Sequence, residues 1–178
     1  ETAMRALRHQ INPHFLYNTL ESIRARALVL KDRETAEAIE GLGRLYRTLI
    51  RCPEVIPLQK EVEVLEMYLK LMSLRFADTF VYRVDIEEEA KDVDTIAFWL
   101  QPLAENFFNH GMDQESEFNL LMLEAVKKEE GILVTMSDNG RGIMKDRLLE
   151  IRKNMVEGGD DPGADIRTAQ RLYEAQLF

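Results

Sequence analysis

Cysteine is almost absent from this chain: Cys52 stands alone among 178 residues. That excludes an internal disulfide framework and any multi-cysteine zinc site, and it fits a reducing compartment. Long apolar runs are missing as well. No stretch approaches the roughly 20 residues needed to span a bilayer, and no signal peptide opens the chain, so what is present reads as soluble. Positive charge is in deficit, with 23 Lys and Arg against 32 Asp and Glu for a net charge of -9 and a pI near 5.0. A surface of that sign repels polyanions, which argues against a general nucleic-acid or anionic-membrane partner. A nucleotide can still bind through local backbone donors and a divalent cation. Internal repeats and low-complexity tracts are also missing.

What is present is periodicity. Leu7, Ile11, Phe15, Leu16, Leu20, Ile23, Ala27 and Leu30 recur at three and four residues, so a helix with one buried stripe is expected from Met4 to about Leu30, bent at Pro13. Lys31-Asp32-Arg33 interrupts it, and a second helix through Ala36, Leu42, Leu45 and Ile50 ends before Pro53. A short connection between two such helices predicts an antiparallel hairpin. Leu58 to Phe76 is a third helix. Phe80 to Ile86 alternates with period two, as a strand does. Thr95 to Gly111 is expected as a helix with Pro102 near its first turn. Leu120 to Val126, a turn over Lys127 to Gly131, and Ile132 to Met136 form an expected hairpin. Helices are expected again over Asp146 to Met155 and Asp165 to Phe178, joined through a glycine-rich, acidic loop from Glu157 to Gly163. Helices on one face of a mainly antiparallel sheet make the second half α+β.

Strong helix formers at Glu1 to Leu7 without a cap, and an apolar end at Gln176-Leu177-Phe178, point to a piece of a longer protein.

Four segments carry a family resemblance: Gln10-Ile11-Asn12-Pro13-His14-Phe15-Leu16-Tyr17-Asn18 with Thr19-Leu20; Leu58 to Phe76; Leu100-Gln101-Pro102-Leu103-Ala104-Glu105-Asn106 with His110-Gly111; and Ser137-Asp138-Asn139-Gly140-Arg141-Gly142-Ile143. Each is weak alone. In this order and separation they resemble the cytoplasmic core of LytS/YehU-type bacterial sensor histidine kinases over almost the whole chain. The resemblance implies a helical dimerisation and phosphoacceptor segment (1–57) followed by a GHKL-type ATP-binding domain (58–178), a two-layer sandwich whose last strands are not in this sequence. It also implies ATP and Mg²⁺ as cofactors, a response regulator receiver domain and a second copy of the chain as partners, and a place on the cytoplasmic side of a membrane-anchored sensor.

By the same resemblance His14 is the phosphoacceptor. Neutral imidazole is a competent nucleophile near neutral pH, provided that the tautomer is fixed. Asn18 lies one turn later on the same face; it can orient the imidazole or a hydrolytic water, or stand as a solvated polar position. Phe15 follows His14 where many histidine kinases have an acidic residue, so any base must come from elsewhere. His9 faces another way. Asn106 resembles the asparagine that holds Mg²⁺ against the phosphates, with Glu105 beside it as general base or water-positioner. Asn109 and His110 return to that side and are candidates for phosphate contact, although family members often carry lysine where Asn109 stands. Asp138 resembles the acceptor of the adenine amino group, which selects against guanine. Gly140 and Gly142 permit close backbone approach. The second glycine-rich box is reduced to Gly163-Ala164-Asp165-Ile166, and a carboxylate there opposes anion binding at a helix N-terminus. Two readings follow: an active kinase that phosphorylates His14, or a degenerate relative acting as a dimeric scaffold without phosphoryl transfer.

Overall fold

The computed structural model describes residues 13–142. The first expected helix is therefore seen only from Pro13, and the bend expected there lies outside the described residues. So do His9, the two helices expected after Ile143, and the loop between them with Gly163.

Helices α1 (Pro13–Val29) and α2 (Arg33–Arg51) form the hairpin. Its connection closes on local chemistry. Lys31 adopts φ 60, and the Lys31 and Asp32 N–H groups turn back to the Leu28 and Ala27 carbonyls at 3.0 Å each, satisfying acceptors that the end of a helix leaves open. Asp32 then caps α2 by accepting the Thr35 N–H at 3.0 Å, and its bonds to Thr35 hold its carboxyl below the ordinary value. Between the helices Ala27, Ala36 and Leu45 are buried. The Arg47 guanidinium lies 4.3 Å from the centre of the Tyr17 ring, a cation–π contact across the hairpin. On its other side α2 approaches α3 (Leu58–Arg75). A Cβ on Gly41 would stand 3.1 Å from Leu71 Cδ2, so a larger residue there would require the Leu71 side chain to shift by a few tenths of an ångström.

The second half is layered. Strands β2 (Phe80–Ile86), β4 (Asn119–Lys128) and β5 (Gly131–Asp138) form a mixed sheet in the order β2-β4-β5, parallel and then antiparallel. Alternation along β4 buries Asn119, Leu121, Leu123 and Ala125 on one face. Against that face pack Leu58, Val62, Leu65 and Leu69 of α3 and Leu100 and Ala104 of α5 (Leu100–Asn106). Full burial of each such leucine is worth about 1.5–3 kcal/mol, which makes this layer contact the main source of stability for the half. The class is the expected one, α+β with a helical hairpin ahead of helices on a mixed sheet.

Details depart from expectation between α3 and α5. The helix expected from Thr95 begins only at Leu100. Asp94–Ile96 is a short strand, β3, paired antiparallel with β1 (Val55–Pro57), and a one-turn helix, α4 (Glu88–Lys91), precedes it. Three-residue strands, one ending in proline, offer no alternation to read. The chain is turned at Phe98, with φ 67, and the start of α5 is set from a distance. Glu61 of α3 is 1% exposed; its Oε2 accepts the Phe98 N–H at 2.7 Å and its Oε1 the Leu100 N–H at 2.9 Å. A carboxylate thus satisfies an orphan donor at the positive end of α5. Pro102 falls in the first turn, where its lost N–H costs nothing. The β4–β5 turn is also tighter than expected, because the strands run on to Lys128 and resume at Gly131.

Glu61→Gln should destabilise the chain by about 1–3 kcal/mol, because an amide offers one oxygen where two N–H groups need acceptors and turns its own donor toward the second. Urea unfolding measures this. An unchanged midpoint would show that the Glu61 bonds do not hold α5.

Candidate functional site

On α1, His14 and Asn18 are both exposed. Asn18 Nδ2 lies 3.3 Å from each ring nitrogen of His14, as residues four apart on a helix allow. Phe15, 66% exposed, stands beside the histidine. Leu20 turns inward instead, its Cδ1 3.9 Å from where a Cβ on Gly43 would sit.

At the end of α5 the helix widens. Phe107–Gly111 is a π turn, in which the Met112 N–H reaches the Phe107 carbonyl at 2.7 Å. Such widenings recur at functional sites. Here it directs two consecutive aromatics into the layer contact: the Phe108 ring lies 4.8 Å from that of Phe80 and 5.2 Å from that of Phe107. The same anchoring leaves Asn106, Asn109 and His110 exposed. Glu105 is half-buried and accepts a hydrogen bond from Gln101 Nε2 at 2.8 Å. The nearby Tyr68 hydroxyl is shifted upward, first by burial and then by the Glu105 charge.

Asp138 ends β5, half-buried, and its Oδ1 accepts the Gly140 N–H at 2.8 Å. This turn is pressed onto the π turn. A Cβ on Gly140 would fall 2.2 Å from the Gly111 carbonyl oxygen, and a Cβ on Gly111 would lie 3.8 Å from Asp138 Oδ1. The Arg141 N–H donates to the same Gly111 carbonyl at 2.7 Å. Close approach at Gly140 is thus made to another backbone, and it brings the Asp138 carboxylate to the end of the helix that carries Asn106. Gly142 is at φ 67 with open space around it, so its requirement is conformational.

Several residues at this seam carry roles that sequence reasoning did not assign. Asn139 binds the start of β4, accepting the Leu120 N–H at 2.7 Å and donating to the Phe118 carbonyl at 3.1 Å. Asn119, 1% exposed, ties the loop after the π turn by accepting the Asp113 N–H and donating to the Asp113 carbonyl, both at 3.0 Å. Asp113 faces Arg141, and its carboxyl is held low by the Glu115 N–H first and by Arg141 next. Among the described residues no group of three or more His, Cys, Asp or Glu is placed to hold a metal. His14 and Asn18 stand on the hairpin, and the remaining described candidates gather on the layered half.

This is an α+β chain in which an exposed helix histidine precedes an asparagine-bearing helix end joined to an acidic, glycine-broken turn. The family model described as histidine kinase matches residues 2–80. The sensor histidine kinase YesM of Bacillus subtilis is 34% identical over 84% of this chain and 26% of its own length. The sensor proteins LytS of Oceanobacillus iheyensis and Staphylococcus saprophyticus are each 30% identical, over 93% and 99% of this chain and 28% and 31% of theirs. A solved histidine kinase domain of a blue-light activated kinase from Erythrobacter litoralis is also similar, with TM-score 0.43 and 15% identity over 93% of this chain and 76% of that one. Over most of its length the chain is similar to LytS-type sensor histidine kinases, and it spans under a third of the length of these curated relatives.

Gly140→Ala must move the turn or the π turn, an overpacking cost of about 1–3 kcal/mol. Gly142→Ala should cost about 1–2 kcal/mol, through the left-handed backbone alone. Thermal unfolding together with a spectroscopic probe near Trp99 separates them: only Gly140→Ala should also disturb the region of α5. Identical spectra for the two variants would contradict the contact described.

Proposed function

We propose that the chain is the kinase core of a two-component sensor, which binds Mg-ATP between the end of α5 and the Asp138 turn, phosphorylates His14 and passes the phosphoryl group to an aspartate of a response regulator. The observation that carries the reading is the seam itself: Gly140 against Gly111 sets the Asp138 carboxylate beside the helix end that bears Asn106. The residues suit the ligand. Asp138 offers the acceptor that an adenine amino group needs, and the exposed Asn106 amide offers an oxygen of the hard kind that Mg²⁺ prefers. Mg²⁺, when bound, neutralises phosphate charge. Asn109 and His110 are exposed on the same helical segment and stand as phosphate contacts, and Glu105, held by Gln101, as the base or water-positioner.

In the transfer, an unprotonated His14 nitrogen forms the N–P bond as the bond from the γ-phosphorus to the ADP oxygen breaks, while the other nitrogen keeps the ring proton. The Asn18 amide, 3.3 Å from the ring nitrogens, is placed to orient the ring. Residues 1–57 act as the dimerisation and phosphoacceptor segment and 58–178 as the ATP-binding domain. Phe15, Ile23, Leu28, Val29, Leu30 and Leu42 are exposed on the hairpin, apolar surface that a second hairpin would cover across a two-fold axis. The parent protein is a membrane-anchored sensor with this core on the cytoplasmic side. A degenerate scaffold is the second reading, favoured by Asn109 where family members often have lysine.

Incubation of the parent protein with γ-labelled Mg-ATP should give an acid-labile, base-stable label that His14→Gln abolishes without weakening ATP binding. Full labelling of His14→Gln would refute the acceptor, and an ATP-binding but unlabelled parent would favour the scaffold. Asp138→Asn should weaken ATP binding by about 1–3 kcal/mol, the cost of one mismatched polar contact. Unchanged affinity by calorimetry would remove the adenine role.

A further inference from the structure

The seam between the π turn and the Asp138 turn is closed twice, once by backbone and once by side chains. The backbone closure is the Arg141 N–H on the Gly111 carbonyl at 2.7 Å. The side-chain closure is the Arg141 guanidinium, whose Nε and Nη2 donate to Asp113 Oδ1 at 3.2 and 3.0 Å. Asp113 is a firm anchor despite being half-exposed. The same Oδ1 accepts the Glu115 N–H at 3.2 Å, and the main chain of Asp113 is held on both sides by the buried Asn119 side chain at 3.0 Å. Arg141 therefore reaches across 28 positions of sequence from the turn carrying Asp138 to the loop that leaves the π turn. Asn139 fixes the turn to β4 only, so what refers it to the helix end is the Gly140–Gly111 backbone contact together with Arg141.

We propose that Arg141 and Asp113 form a latch that positions the Asp138 carboxylate relative to the end of α5, making Arg141 a positioning residue for nucleotide recognition and not a phosphate ligand. This inference rests on the reading of Asp138 as the adenine acceptor. With the latch open, the turn keeps its attachment to β4 and its backbone contacts with Gly111 but loses its side-chain tie to the loop after the π turn, and the ligand must supply the lost order on binding. The pair is solvent-accessible, with side chains 55% and 40% exposed, so the effect is modest. An exposed pair of this kind corresponds to about threefold in affinity.

Mg-ADP calorimetry on the full chain, as a double-mutant cycle, tests the latch. Arg141→Ala and Asp113→Asn should each weaken binding about threefold, and the double variant no more than Arg141→Ala alone. Arg141→Lys, which keeps one charged donor, should recover part of the loss. In the labelling reaction KM for ATP should rise while kcat at saturating ATP stays unchanged, a split that general destabilisation would not give. A large loss for Arg141→Ala with none for Asp113→Asn would mean that Arg141 touches the nucleotide itself and would overturn the latch, as would additive losses or no change in either variant. If Asp138→Asn loses Mg-ADP while both latch variants bind normally, the latch fails and the adenine reading stands. A wild-type chain that binds no Mg-ADP overturns both.

Discussion

The contact of Gly140 with the Gly111 carbonyl is the constraint on which the geometry of the candidate site depends. Two backbones meet where a single methyl group would overlap an oxygen at 2.2 Å, and each is fixed from behind. The π turn is held by Phe107 and Phe108 in the aromatic cluster around Phe80, and the turn by Asn139 on β4. Because both sides are anchored in the core, the carboxylate of Asp138 and the amide of Asn106 are carried by rigid elements. Preorganisation of that kind lets binding energy go to the ligand instead of to ordering the protein.

A second anchor serves the same end from further away. Glu61 fixes where α5 begins, and the start of a seven-residue helix determines the direction of every side chain on it. Starting at Thr95, as its composition suggested, the helix would have carried Asn106 to a different depth. A buried carboxylate is costly unless its oxygens are satisfied, and here two backbone donors satisfy them.

What could be read from sequence follows the range of the interactions. His14 and Asn18 pair within one turn, and the Asp138 turn follows a clear strand, so both were legible. Asp32 as a cap was hidden within the break at Lys31 to Arg33, though its bond to Thr35 is local. Glu61 left a signal that went unused: it falls on the same helical stripe as Leu58, Val62, Leu65 and Leu69, where a solvated glutamate does not belong. The β1–β3 pair, the start of α5, the roles of Asn119 and Asn139, and the pairing of Arg141 with Asp113 all depend on contacts between residues distant in sequence. The glycines were read as permitting close backbone approach, and at Gly140 that approach is made to Gly111.

The central claim, that nucleotide sits across the seam of the π turn and the Asp138 turn, is tested most directly by amide hydrogen exchange with and without Mg-ADP. Slowed exchange should concentrate in residues 104–113 and 136–142, with the hairpin from Pro13 to Arg51 unchanged. Slowing elsewhere with neither of those segments affected would contradict the account.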